Sequence, residues 1–182
     1  SRNFGANGQL KKEMMAEISA TLAFSSIQNN DKVGVIFFSD KIEKFIPPQK
    51  GRKHILLIIR EIINFIPDNK ATDVDCALRF LNDAIKKRCA AFLISDFING
   101  GDYQKSMSIA NKKHDLTAIQ VYDKRDSKMP DVGLIRVKDS ETDLDCWIDT
   151  SSKRLRQIYD KSWYDQQQKL NMTVARCGVD IA

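Results

Sequence analysis

Two kinds of apolar pattern alternate along the chain. Val33-Gly34-Val35-Ile36-Phe37-Phe38, Ala90-Ala91-Phe92-Leu93-Ile94-Ser95 and Leu116-Thr117-Ala118-Ile119-Gln120-Val121 are short apolar runs between polar segments. Such runs mark strands covered on both faces. Between them the period lengthens. Leu10, Met14, Ile18 and Leu22 recur at spacing four and predict a helix over 9–28, broken by Asn29-Asn30-Asp31. Ile55, Ile58, Ile59, Ile62, Ile63 and Ile66 predict the buried face of a second helix over 51–66, which Pro67 stops. Val74, Ala77, Leu78, Leu81, Ala84 and Ile85 predict a third over 73–87, and a fourth follows Asn99-Gly100-Gly101 over 102–112. Residues 41–46 mix charged and apolar positions as an edge strand does, with Pro47-Pro48 as its stop.

Beyond Pro130 the pattern changes. Residues 132–137 and 144–148 alternate in the strand period around Ser140-Glu141-Thr142-Asp143, which predicts a hairpin. Thr150-Ser151-Ser152 caps a last helix running to about 175, and Gly178 ends it. Val179-Asp180-Ile181 opens a further strand. Strands alternating with helices imply an α/β fold, a mainly parallel sheet with helices on both faces. In such sheets ligands bind beyond the carboxyl ends of the strands.

Composition narrows the class. With 182 residues, 42% hydrophobic and 29% charged, the chain fits one packed domain. No apolar run approaches the ~20 residues of a membrane span, and the N-terminus lacks a signal-peptide core. Cys76, Cys89, Cys146 and Cys177 are far apart, with no C-x-x-C. They read as reduced, buried thiols of a cytoplasmic protein. His54 and His114 stand in charged surroundings and read as solvated surface, so a catalytic triad has little material. Trp147 and Trp163-Tyr164 read as core aromatics. The net charge is +5, from clusters such as Lys50-Gly51-Arg52-Lys53, Lys86-Lys87-Arg88, Lys112-Lys113 and Lys124-Arg125. Most read as solvated helix ends. A basic surface for nucleic acid or an anionic membrane is the alternative reading; it lacks interleaved aromatics for base stacking.

The rim rule selects three loops: residues 1–8, Thr72-Asp73 and Asp96. Their hydroxyls and carboxylate are hard oxygen donors suited to Mg²⁺ or Mn²⁺. Each also has a plain structural role. Thr72 with Asp75 forms a capping box, Asp73 favours the helix N-terminus, Asp96 turns its loop, and Asp40 and Asp123 are turn residues. A phosphotransfer receiver would need an acidic pair after its first strand, which is not in this sequence, and a partner Lys at a late strand end, where Val121-Tyr122-Asp123 offers none; Phe4-Gly5-Ala6-Asn7-Gly8 is too slight for a phosphate loop. The chain reads as a non-enzyme.

Ala71-Thr72-Asp73-Val74 before a helix, and Leu93-Ile94-Ser95-Asp96-Phe97 ending a strand, resemble two of the three metal-site (MIDAS) motifs of von Willebrand factor A (vWA) domains. Asn30-Asp31-Lys32-Val33-Gly34-Val35, Phe38-Ser39-Asp40, Ile46-Pro47-Pro48-Gln49-Lys50-Gly51, His114-Asp115-Leu116 and Pro130-Asp131-Val132-Gly133-Leu134 resemble the bacterial vWA-like family called domain of unknown function 58. The resemblance covers nearly the whole chain. It implies a three-layer, Rossmann-like vWA fold with an added β-hairpin. It also implies a metal site of Ser1, Thr72 and Asp96, completed by a partner's acidic side chain, and a MoxR-type AAA ATPase as that partner. The Asp and first Ser of the first motif, and the first strand, are expected before Ser1. The chain is therefore expected to be one domain cut at both ends, with weak or absent metal binding.

Overall fold

The strand Val33–Phe38 (β1) shows how the helices layer. Side chains alternate across a strand. Val33, Val35 and Phe37 pack with Ile58, Ile62 and Phe65, whereas Phe38 packs on a second cluster that holds Val74, Leu78 and Leu93. β1 is thus covered by different helices on its two faces. The structure, a computed structural model, describes residues 6–68, 71–98, 101–122, 127–138 and 145–182.

Chain order is α1 (Ala6–Gln28), β1, β2 (Ile42–Gln49), α2 (Arg52–Asn64), α3 (Val74–Ala84), β3 (Ala90–Ser95), α4 (Gln104–Lys113), β4 (Asp115–Gln120), β5 (Leu134–Lys138), β6 (Asp145–Asp149), α5 (Lys153–Cys177) and β7 (Asp180–Ile181). β1 and β2 pair antiparallel, β3-β4-β7 form a parallel three-stranded sheet, and β5 and β6 form a hairpin. The α/β class and a parallel sheet are thus present, the parallel part being three strands among the described residues. Among the described residues β1 pairs only with β2, and β3 only with β4. α3 joins the two sheets: its Val74 and Leu78 share a core with Leu93 of β3 and Phe38 of β1.

Most predicted elements stand within a few residues of their places. β2 is an exception, because it runs through Pro47 and Pro48. A proline is tolerated on an edge strand, where its missing N–H costs no ladder bond. α2 ends at Asn64, and Phe65 is extended; the backbone before Pro67 leaves the helical region early. Ile55 and Ile58 are then buried, but Ile63 and Ile66 are exposed, the latter 80%. Met14, predicted inward, is also exposed. The tip of the hairpin, residues 140–143, and the basic pair Lys124-Arg125 lie outside the described residues. Trp147 and Tyr164, expected in the core, are more than 60% exposed, while Trp163 is half-buried against Tyr122 at 5.7 Å.

The last helix is held at both ends. Ser152 accepts from Leu155 N, and Gly178 closes it in the left-handed region at φ 65°. Thr150, fully buried, ties the hairpin base to this helix: its Oγ1 donates to Gly133 O at 2.6 Å and accepts from Val132 N at 3.0 Å. Arg156 adds a bond to Thr150 O and an ion pair to Asp131. Among the described residues, no helix is long and apolar enough to cross a membrane.

Candidate functional site

At the carboxyl end of β3 the chain turns sharply. Ser95 Oγ accepts from Phe97 N at 3.1 Å, and Asp96 Oδ1 accepts from Ile98 N at 3.2 Å. These nested side-chain turns hold Phe97 at φ 55°, a conformation few residues other than glycine adopt. Phe97 meets Tyr103 at 6.2 Å and packs on the core shared by β3 and α3. The Asp96 carboxylate is therefore fixed rather than swinging. Its main-chain oxygen accepts from Gln120 Nε2 of β4 at 3.4 Å.

The second loop is stitched to the end of β1. Asp73 N donates to Ser39 O at 2.7 Å, and the buried Ser39 hydroxyl donates to Glu43 at 2.6 Å, with Asp40 Oδ1 also within 3.0 Å of it. Asp73, not Thr72, caps α3, accepting from Cys76 N at 3.0 Å. The expected capping box of Thr72 and Asp75 is thus corrected. The helix begins one residue later than that box requires, and Asp75 serves elsewhere. Its carboxylate accepts from the buried Ser106 hydroxyl and pairs with Arg79 at 3.0 Å. Thr72 is left half-buried at the rim without a capping role.

Both loops abut one core cluster, through Val74 on one side and Phe97 on the other. No hydrogen bond joins Thr72 to Asp96. Ser1 lies outside the described residues. Lys11 of α1, which sequence reasoning passed over, brings its Nζ to 3.9 Å from Asp96 Oδ2. The stripe of Leu10, Met14, Ile18 and Leu22 drew attention to the apolar face, and nothing in that pattern singles out its neighbour. A divalent ion, which the vWA resemblance implies, finds a poor donor set here. Both Asp96 oxygens already face protein donors, and no three His, Cys, Asp or Glu side chains converge among the described residues. The residues described do not fit such an ion.

The opposite rim holds a pair that the sequence reading placed at the surface. His114 is fully buried, with Nδ1 3.4 Å from Cys89 Sγ and Nε2 without a hydrogen-bond partner. It is the residue after α4, where the chain turns into β4, so Lys112 and Asp115 are exposed while the ring turns in. Burial, helped by Lys113, lowers its pKa, and burial pushes the Cys89 thiol up. Two neutral partners are the consequence, not a reactive thiolate. His54 is not free surface either: its Nε2 lies 2.8 Å from Val33 O. All four cysteines are free thiols. Cys177 is buried, Cys76 and Cys89 are half-buried, and Cys146, contrary to expectation, is exposed.

The family model described as "Protein of unknown function DUF58" matches residues 1–169. The chain is 23% identical over 185 residues to "Uncharacterized protein Rv1480" of Mycobacterium tuberculosis and, equally, to "Uncharacterized protein Mb1516" of Mycobacterium bovis; the match covers all of this chain and 57% of each relative. To "Uncharacterized protein MAV169" of Mycobacterium avium it is 27% identical over 138 residues, covering 75% of the chain and 81% of that protein. The chain thus spans little more than half the length of the first two relatives. No solved structure matches it. A family model that runs across nearly the whole chain assigns it: the protein belongs to the DUF58 family.

Proposed function

We propose that this chain is a von Willebrand factor A-like protein-interaction module, not an enzyme, which receives an acidic side chain of a protein partner at the Thr72–Asp96 rim. The observation that carries the reading is the 95–98 turn. It holds a carboxylate at the end of a parallel strand by two side-chain bonds and a left-handed Phe97. Strain of that kind persists where the surroundings enforce it and clusters at working sites. The release of Thr72 from helix capping supports the same reading.

The finer fold belongs to this proposal. The edges of β1 and β3 that are unpaired among the described residues, with α3 packed across both, suit one further strand between them, as in the Rossmann-like sheet of vWA domains. The partner suggested by family resemblance is a MoxR-type AAA ATPase. Co-elution of the chain with such an ATPase from the same genome tests it. Wild type is expected to co-elute and Thr72→Ala/Asp96→Ala to elute alone. Association that weakens steeply with salt and survives the double substitution would favour the basic surface instead.

A further inference from the structure

We infer that the rim site carries its own cation: the Lys11 ammonium faces the Asp96 carboxylate oxygen that an ion would share, so recognition at this rim does not depend on a divalent metal. The inference deepens the interaction reading and rests on it for the partner, though not for the cation itself.

Three observations support it. Lys11 Nζ lies 3.9 Å from Asp96 Oδ2, and the two side chains are only 19% and 30% exposed. The stem of Lys11 is thus covered while its charged head reaches the carboxylate, the usual arrangement for a long cationic side chain at an apolar surface. Second, the other oxygen, Oδ1, accepts from Ile98 N at 3.2 Å. An incoming ion at Oδ2 would meet the ammonium's charge, and one at Oδ1 would compete with the turn that holds Phe97 at φ 55°. Third, the two groups come from different layers. α1 packs on α2, whereas Asp96 ends β3, so the pair also clasps the first helix to the sheet rim.

Electrostatics favours the resident cation. A Mg²⁺ or Mn²⁺ ion needs several hard oxygens about 2.0–2.2 Å away. An ammonium within 4 Å of the same carboxylate repels it, strongly where water is partly excluded. A lysine needs no dehydration of a hexahydrated ion.

Mn²⁺ titration by calorimetry tests this on the purified chain, with folding checked by circular dichroism. Wild type is expected to show no binding tighter than about millimolar, the level of a solvated carboxylate. Lys11→Glu puts a second carboxylate beside Asp96 and is expected to bind Mn²⁺ about tenfold or more tighter. Adding Asp96→Asn to it is expected to return the titration to the wild-type trace. Should Lys11→Glu not fold, Lys11→Met is read in its place, with a tightening of a few-fold. Micromolar Mn²⁺ binding by wild type, or an unchanged titration in the folded Lys11 variants, would overturn the inference. With a partner in hand, binding is expected to be the same in EDTA as in Mg²⁺. Loss in EDTA overturns the Lys11 assignment and leaves the interaction reading standing, whereas no association under either condition overturns the interaction reading and leaves the titration to judge Lys11.

Discussion

Asp73 and Thr72 are adjacent, yet they do different work. Asp73 satisfies the first turn of α3 through Cys76 N. Asp73→Ala is expected to lower stability by about 1 kcal/mol in chemical denaturation. Thr72→Val is expected to change it by less than about 0.5 kcal/mol, because no cap is lost. Equal losses would restore Thr72 to the capping role that the sequence pattern suggests. His114 makes a second residue-level prediction. Its folded pKa lies below the ordinary 6.5 because burial and Lys113 disfavour the charged ring. Protons therefore bind the unfolded chain first. Stability contributed by the neutral ring is complete above pH 6.5 and is lost as pH falls from there toward the folded pKa. Urea melts at stepped pH are expected to show that decline in wild type and to show it flattened in His114→Gln. A decline identical in both would place the acid sensitivity in the carboxylates. Thiol labelling checks the burial of the cysteines: a maleimide is expected to reach exposed Cys146 long before buried Cys177.

At the level of elements, the strands were legible because their cores are short apolar runs between polar segments. β1 and β3 begin and end where the runs do. Helix faces were less legible. The isoleucine period continues through Ile63 and Ile66, but the backbone leaves the helix at Phe65, so the last two isoleucines miss the core. Pro47 and Pro48 misled for a related reason, since a proline stops a central strand but not an edge one. The close pairing of β1 with β2 gives a sharp test. A Cβ on Gly34 would stand 2.8 Å from Ile46 O and 2.9 Å from Pro48 N, both backbone atoms. Gly34→Ala is expected to cost about 1–3 kcal/mol, from overpacking that backbone cannot relieve. A neutral effect would mean that β2 does not lie against β1 as described. Of the candidate site, Thr72 and Asp96 were legible through their places at a helix start and a strand end. Lys11 was not, because a lysine on a long helix carries no mark of what it will face across a layer. His114 was misplaced by its charged neighbours for the same reason.

For the whole molecule, the largest core joins β3, β4, α3, α4 and the end of α5, and the fully buried Met107 lies within it. Met107→Ala is expected to cost about 2–5 kcal/mol. That core sets the rim: Val74 and Phe97, which follow Thr72-Asp73 and Asp96 directly, both belong to it. The proposed site therefore stands directly on the main core. The projecting apolar positions, Leu134 and Trp147, are on the hairpin and are not part of that core. On the proposed reading, the partner docks at the 72–96 rim. Biolayer interferometry of the immobilised chain against a purified MoxR-type AAA ATPase, comparing wild type with Asp96→Ala and Trp147→Ser, tests it most directly. Asp96→Ala is expected to weaken binding by a factor of ten or more, about 1.4 kcal/mol, while Trp147→Ser leaves it within about twofold. Binding that survives Asp96→Ala unchanged would contradict the account.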